Sequence, residues 1–157
     1  MRVHSVTVCP DRIDVIVHVD PSETLRTSQS AAAADRALGV LPGLARHRCH
    51  NGDGLTFADE LADTEVPHLF EHVVLELMAG AGSPRSLRGE TEWDFKRDGR
   101  GVFRVSLEYD DDLVCLGAIK TAGPLVSYVL EGGEPPDVSA ETGRLVELRG
   151  WPAEARA

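Results

Sequence analysis

The sequence has no Cys-x-x-Cys pair. Its three cysteines, Cys9, Cys49 and Cys115, are odd in number and widely spaced. That excludes a zinc ribbon and a disulfide framework and leaves three reduced, mostly buried thiols as the simple reading. No apolar run approaches the roughly 20 residues needed to cross a bilayer. The opening "MRVHSVTVCP" runs into an alternating strand pattern and not a signal peptide. A cytoplasmic protein without a membrane partner is the expectation. Positive charge is scarce: 16 Lys and Arg stand against 26 Asp and Glu, for a net charge of −10. Phosphate-driven nucleic-acid binding needs a basic surface, so nucleic acid is not an expected partner. Nucleotide and serine-hydrolase signatures are missing as well, with no G-x-x-x-x-G-K-[ST], G-x-G-x-x-G or G-x-S-x-G.

What is present fits one domain. The 157 residues are 42% hydrophobic and 27% charged, enough for a core and typical of globular chains. "RVHSVTV" and "RIDVIVHVD" read as strands joined by the hairpin-length turn "CPDR". Residues 21–41 read as a helix beginning at Pro21 and Ser22. "ARHRCH" reads as a short strand, followed by the loop "NGDG", and "TFADELADT" as a helical turn. In "TEVPHLFEHVVLELMAGAG", Thr64 can cap a helix, Pro67 suits its first turn, and Leu69, Phe70, Val73, Val74 and Leu77 recur at helical spacing. Residues 83–101 read as an exposed loop or weak hairpin arm. "GVFRVSLEY" alternates as a strand, and residues 110–130 as a helix with acidic residues at its start and Pro124 as a kink. The order ββαβαβα predicts an α+β fold, one mixed sheet with helices on one face. The domain is expected over 1–134, with 135–157 as a tail or an edge strand.

"HLFEH", residues 68–72, carries the chemistry. Helix positions four apart lie about 40° apart and about 6 Å along the axis, so His68 and His72 can share one ion. This is the H-x-x-E-H order of inverzincin peptidases, with Glu71 placed to take a proton from a metal-activated water. The ordinary alternative is two solvent-side histidines with an i,i+3 Glu–His pair. A third ligand is required. Glu76 continues the ladder but lies about 12 Å along the axis from His68, which suits it better to orienting His72. Glu108, at the end of the strongest strand, is the preferred third ligand. Asp110, Asp111 and Asp112 are more simply a helix start. "HRCH" offers a second donor set, but strand alternation puts His47 and Cys49 on one face and His50 on the other. Tyr109, Arg100 or Arg104 could stabilise an oxyanion.

"LPGL", "HRC", "TEVPHLFEHVVLELMAGAG" and "GVFRVSLEYDDDLVCLGA", in that order and spacing, resemble the N-terminal domain of cyanophycin synthetase over about residues 38–130. Cyanophycin is a poly-aspartate with arginine side chains. The synthetase's ATP-dependent domains have no counterpart here, so the resemblance implies no synthetase activity. It implies polymer binding and, in some members, zinc-dependent hydrolysis of the polymer backbone at the H-x-x-E-H site. His68, Glu71 and His72 match that motif, and Glu76 and Glu108 match the family's glutamates. The expectation is therefore a zinc-dependent hydrolase of a peptide or isopeptide polymer, with Zn²⁺ on His68, His72 and Glu108 and Glu71 as base. An arginine-rich polymer would suit a charge of −10. The alternative is a non-catalytic polymer- or partner-binding module. A subunit of a separately encoded ligase, or a homo-oligomer, is also compatible.

Overall fold

The structure is a computed structural model that describes residues 1–49 and 54–149. Its fold is α+β. Strands β1 (Arg2–Val8), β2 (Arg12–His18), β3 (Gly89–Glu92) and β4 (Val102–Glu108) form one sheet in the order β1-β2-β4-β3. Every neighbouring pair is antiparallel, so the sheet is not the mixed one expected. The register follows burial. Ile13 lies opposite Leu107, Val15 opposite Val105 and Val17 opposite Phe103, and all six are buried. Alternation makes that face the core and puts Arg12, Asp14, Arg104, Ser106 and Glu108 on the other.

Six helices are present among the described residues: α1 (Ala33–Val40), α2 (Phe57–Glu60), α3 (Val66–Gly80), α4 (Phe95–Asp98), α5 (Asp112–Glu131) and α6 (Val138–Arg149). Helix α3 lies between α5 and the β3–β4 side of the sheet, which explains why it is buried on nearly every side. Pro67 sits in its first turn as the sequence indicates, but Glu65 and not Thr64 is the capping residue. Helix α5 is capped by Asp111, whose carboxylate accepts from the Leu113 and Val114 N–H groups. It runs uninterrupted through Pro124. Lys120, whose carbonyl loses its partner there, is exposed, so water can satisfy it. By length and composition alone α5 could cross a membrane, with a mean hydropathy of 1.6. Its apolar face, from Val114 to Val129, is part of the core.

Three other expectations give way to side-chain chemistry. Residues 21–32 are not helical apart from a 3₁₀ turn at Thr27–Gln29. Gln29 Oε1 takes the Leu25 and Arg26 N–H groups, and Arg26 pairs with Asp63 and Glu65. These local bonds compete with the helical ladder. The strand expected at 45–50 is replaced by a 3₁₀ turn, Pro42–Arg46, and an extended run with one bridge, Arg48 to Thr56. The tail or edge strand expected beyond 135 is helix α6 over 138–149, which packs Leu145 onto α5 beside Gly117. His50, the NGD of the loop and residues 150–157 lie outside the described residues.

Candidate metal centre

Burial makes the polar stripe of α3 expensive. Glu71, His72 and Glu76 are 4%, 3% and 8% exposed, in a helix otherwise filled by Leu, Val and Phe. Burying such groups without partners costs several kcal/mol each, on the order of 2–7. Each has a partner from outside the helix.

The first comes from the extended run before residue 50. His47 and Cys49 point to the same side, as alternation requires, and both meet α3. Cys49 Sγ lies 3.8 Å from His68 Nε2 and 3.6 Å from His72 Nε2, and the two Nε2 atoms are 3.1 Å apart. Cys49, His68 and His72 are thus three donors converging on one point, a group able to hold a metal ion. The other ring nitrogens are fixed from behind. Thr64 Oγ1 is 2.8 Å from His68 Nδ1. His47 Nδ1 is 3.0 Å from His72 Nδ1, while His47 Nε2 is 2.7 Å from Glu76 Oε2. Arg85 clamps both Glu76 oxygens at 2.9 and 3.2 Å. Glu76 is thus linked to His72 through His47. Phe57 stacks on the His72 ring, with centroids 3.9 Å apart. Gly43, in "LPGL", has no side chain because a Cβ there would overlap the Glu76 carboxylate.

Glu71 stands beside this group. Its Oε1 is 4.0 Å from His72 Nε2, and Thr91 of β3 donates to its Oε2 at 2.5 Å. A Cβ at Gly89 would overlap the Glu71 carboxylate, so the glycine lets β3 approach. Burial pushes the Glu71 carboxyl up to about 7, only partly offset by the Thr91 bond. Burial also raises the Cys49 thiol well above its ordinary value, helped by Glu60 and Glu71, and lowers the His68 imidazole. Burial works against Glu76 too, yet His47 and Arg85 hold it at about 2. Two carboxylates on one helix are thereby set far apart, one ionised and one poised near neutrality.

Glu108 does not join the cluster. As the last residue of β4 it faces away from the core, is exposed, and accepts from the Arg88 N–H at 3.0 Å. Cys49 replaces it as the third donor. Tyr109 donates to the Cys9 carbonyl and Arg104 pairs with Asp98, and neither these nor Arg100 lines the cavity beside the cluster. That cavity, about 940 Å³, exposes His68, His72, Cys49 and Glu71 in one wall. Sequence spacing alone singled out the α3 residues. Cys49 and His47 stand out in the sequence as a separate donor set with a shared face, and nothing in the spacing ties them to α3.

The fold and the site define a small α+β domain built around a partly buried Cys/His₂ donor set with a carboxyl beside it. The cyanophycin synthase-like N-terminal domain family matches residues 14–131, and the chain belongs to it. No curated protein matches the chain.

Proposed function

We propose that this domain is a zinc-dependent hydrolase of amide bonds in a peptide or isopeptide polymer such as cyanophycin, with Glu71 as general base. The observation that carries this reading is the placement of Glu71 beside three convergent soft and borderline donors in the wall of an open cavity. Tetrahedral zinc, with bonds of about 2.1 Å to nitrogen and 2.3 Å to sulfur, needs donor separations of about 3.4 Å (N···N) and 3.6 Å (S···N). The observed 3.1, 3.6 and 3.8 Å fit that demand. Three donors converge among the described residues, and three protein ligands are the pattern of catalytic zinc sites where structural sites use four. Zinc bound there would supply Lewis-acid polarisation of the scissile carbonyl and ready deprotonation of water.

The chain's own residues do the rest. Thr91 holds Glu71 Oε2, leaving Oε1 toward the cluster to accept a proton from the attacking water and return it to the leaving amine. A carboxyl tuned near 7 suits both halves of that task. His47, Glu76 and Arg85 keep His72 in the tautomer that presents Nε2, and Thr64 does the same for His68.

The test is cleavage of cyanophycin and short β-aspartyl-arginine chains by zinc-loaded protein, read by mass spectrometry. Wild type should cut, and Glu71→Gln should keep its zinc and lose cleavage. Equal rates in the two proteins would remove Glu71 as base. Zinc-loaded wild type that binds polymer but cuts neither it nor a peptide library would make the domain a binding module.

A further inference from the structure

The charge of the cavity runs against the charge of the chain. Several arginines of this acidic protein are paired with its own carboxylates: Arg12 with Asp14, Arg26 with Asp63 and Glu65, Arg85 with Glu76, Arg97 and Arg104 with Asp98, Arg149 with Asp110. Arg46, Arg48 and Arg88 form no ion pair among the described residues, are exposed, and all line the cavity that contains the cluster. They belong to the two segments that build the site. Arg46 and Arg48 alternate with His47 and Cys49, so the turn that delivers a metal donor inward leaves a guanidinium on either side of it. Arg88 precedes Gly89, where β3 begins its approach to Glu71. Of the lining glutamates, Glu65 is paired with Arg26 and buried Glu71 is bonded to Thr91, which leaves exposed Glu90 and Glu108 as two anions against the three arginines.

From this we propose that the site takes a chain bearing carboxylates close to the bond to be cut, held by Arg46, Arg48 and Arg88. The inference rests on the hydrolase reading for the word "cut" but not for the binding. Guanidinium forks match carboxylates two oxygens at a time, and three of them lining one cavity favour a repeating polycarboxylate over a single acid. The net charge of −10 suggests a cationic ligand, but the cavity is where contact is made, and there free cations outnumber free anions. Exposed pairs are individually weak, so recognition comes from several at once and is sensitive to salt.

The experiment measures binding of fluorescent poly-α-aspartate, poly-lysine and a neutral glutamine-rich peptide to the zinc-loaded Glu71→Gln protein, which should not consume its ligand. Poly-aspartate should bind tightest and weaken as salt rises. Arg46→Gln, Arg48→Gln and Arg88→Gln should each weaken it by roughly two- to five-fold, and the triple variant by about ten-fold or more. Arg100→Gln, an exposed arginine outside the cavity, should change nothing. Preference for poly-lysine, equal binding of all three, no binding of any, or a triple variant that binds poly-aspartate as well as its parent would overturn the proposal. Anionic binding without any cleavage would leave it standing while removing the hydrolase reading. Cleavage confined to cationic chains would do the reverse.

Discussion

Glu71→Gln should stabilise the metal-free protein at alkaline pH, because ionising a buried carboxyl costs the fold stability that a neutral amide keeps. Its carboxyl rises from 4.5 to about 7 on folding, through burial in the α3–β3 contact. A raised folded value means that the stability contributed by the protonated form is complete below pH 4.5 and is lost as pH climbs through 7. The full shift corresponds to about 3 kcal/mol, at 1.36 kcal/mol per pH unit. Roughly 2–3 kcal/mol of that is lost between pH 5 and 8. Glutamine keeps an acceptor for Thr91 Oγ1 and does not ionise. In chelator-treated protein, the melting temperature of Glu71→Gln minus that of wild type should therefore grow by roughly 4–12 °C from pH 5 to pH 8. Other titrating groups are common to both proteins and cancel in the difference. A difference that stays flat with pH, or shrinks, would refute the argument that burial holds this carboxyl near neutrality.

Glu76→Gln should lower metal affinity by roughly 10–100-fold in a chelator competition, since it cuts the link from Arg85 through His47 to His72. Glu108→Gln should leave that affinity unchanged, because its carboxylate serves the Arg88 N–H and not the cluster. Gly43→Ala should destabilise by about 1–3 kcal/mol in denaturant melts by driving a methyl into the Glu76 carboxylate. Zinc affinity should fall as pH falls, because loading displaces the proton of a thiol that burial keeps protonated. A pH-independent affinity would place the metal elsewhere.

The α3 half of the site was legible because its geometry is local. Residues four apart on a helix meet whatever the rest of the chain does, and the apolar spacing of Leu69, Val73 and Leu77 identified the helix. The other half is long-range. Cys49 reaches α3 from 19 and 23 residues away in sequence, and no periodicity encodes which strand or turn will pass a given helix. Alternation did place His47 and Cys49 together, which is the part of that contact a sequence can carry. Glu108 failed for a reason the same rule contains. If Phe103, Val105 and Leu107 face the core, the next residue faces away from it, and so away from α3. Residues 21–32 of the helix expected at 21–41 are held instead by the local bonds of Gln29 and the ion pairs of Arg26, and where a tail or edge strand was expected beyond 135, packing of Leu145 on α5 holds helix α6. The arginines of the cavity were hidden by the sum: a net charge of −10 says nothing of where Arg46, Arg48 and Arg88, which form no ion pair among the described residues, come to lie.

The zinc K-edge absorption spectrum of purified, untagged protein tests the central claim most directly. The account predicts one sulfur neighbour at about 2.3 Å and two imidazole nitrogens at about 2.0–2.1 Å, with the sulfur shell vanishing in Cys49→Ala. Protein that retains no zinc, or zinc ringed only by nitrogen and oxygen in the wild type, would contradict it.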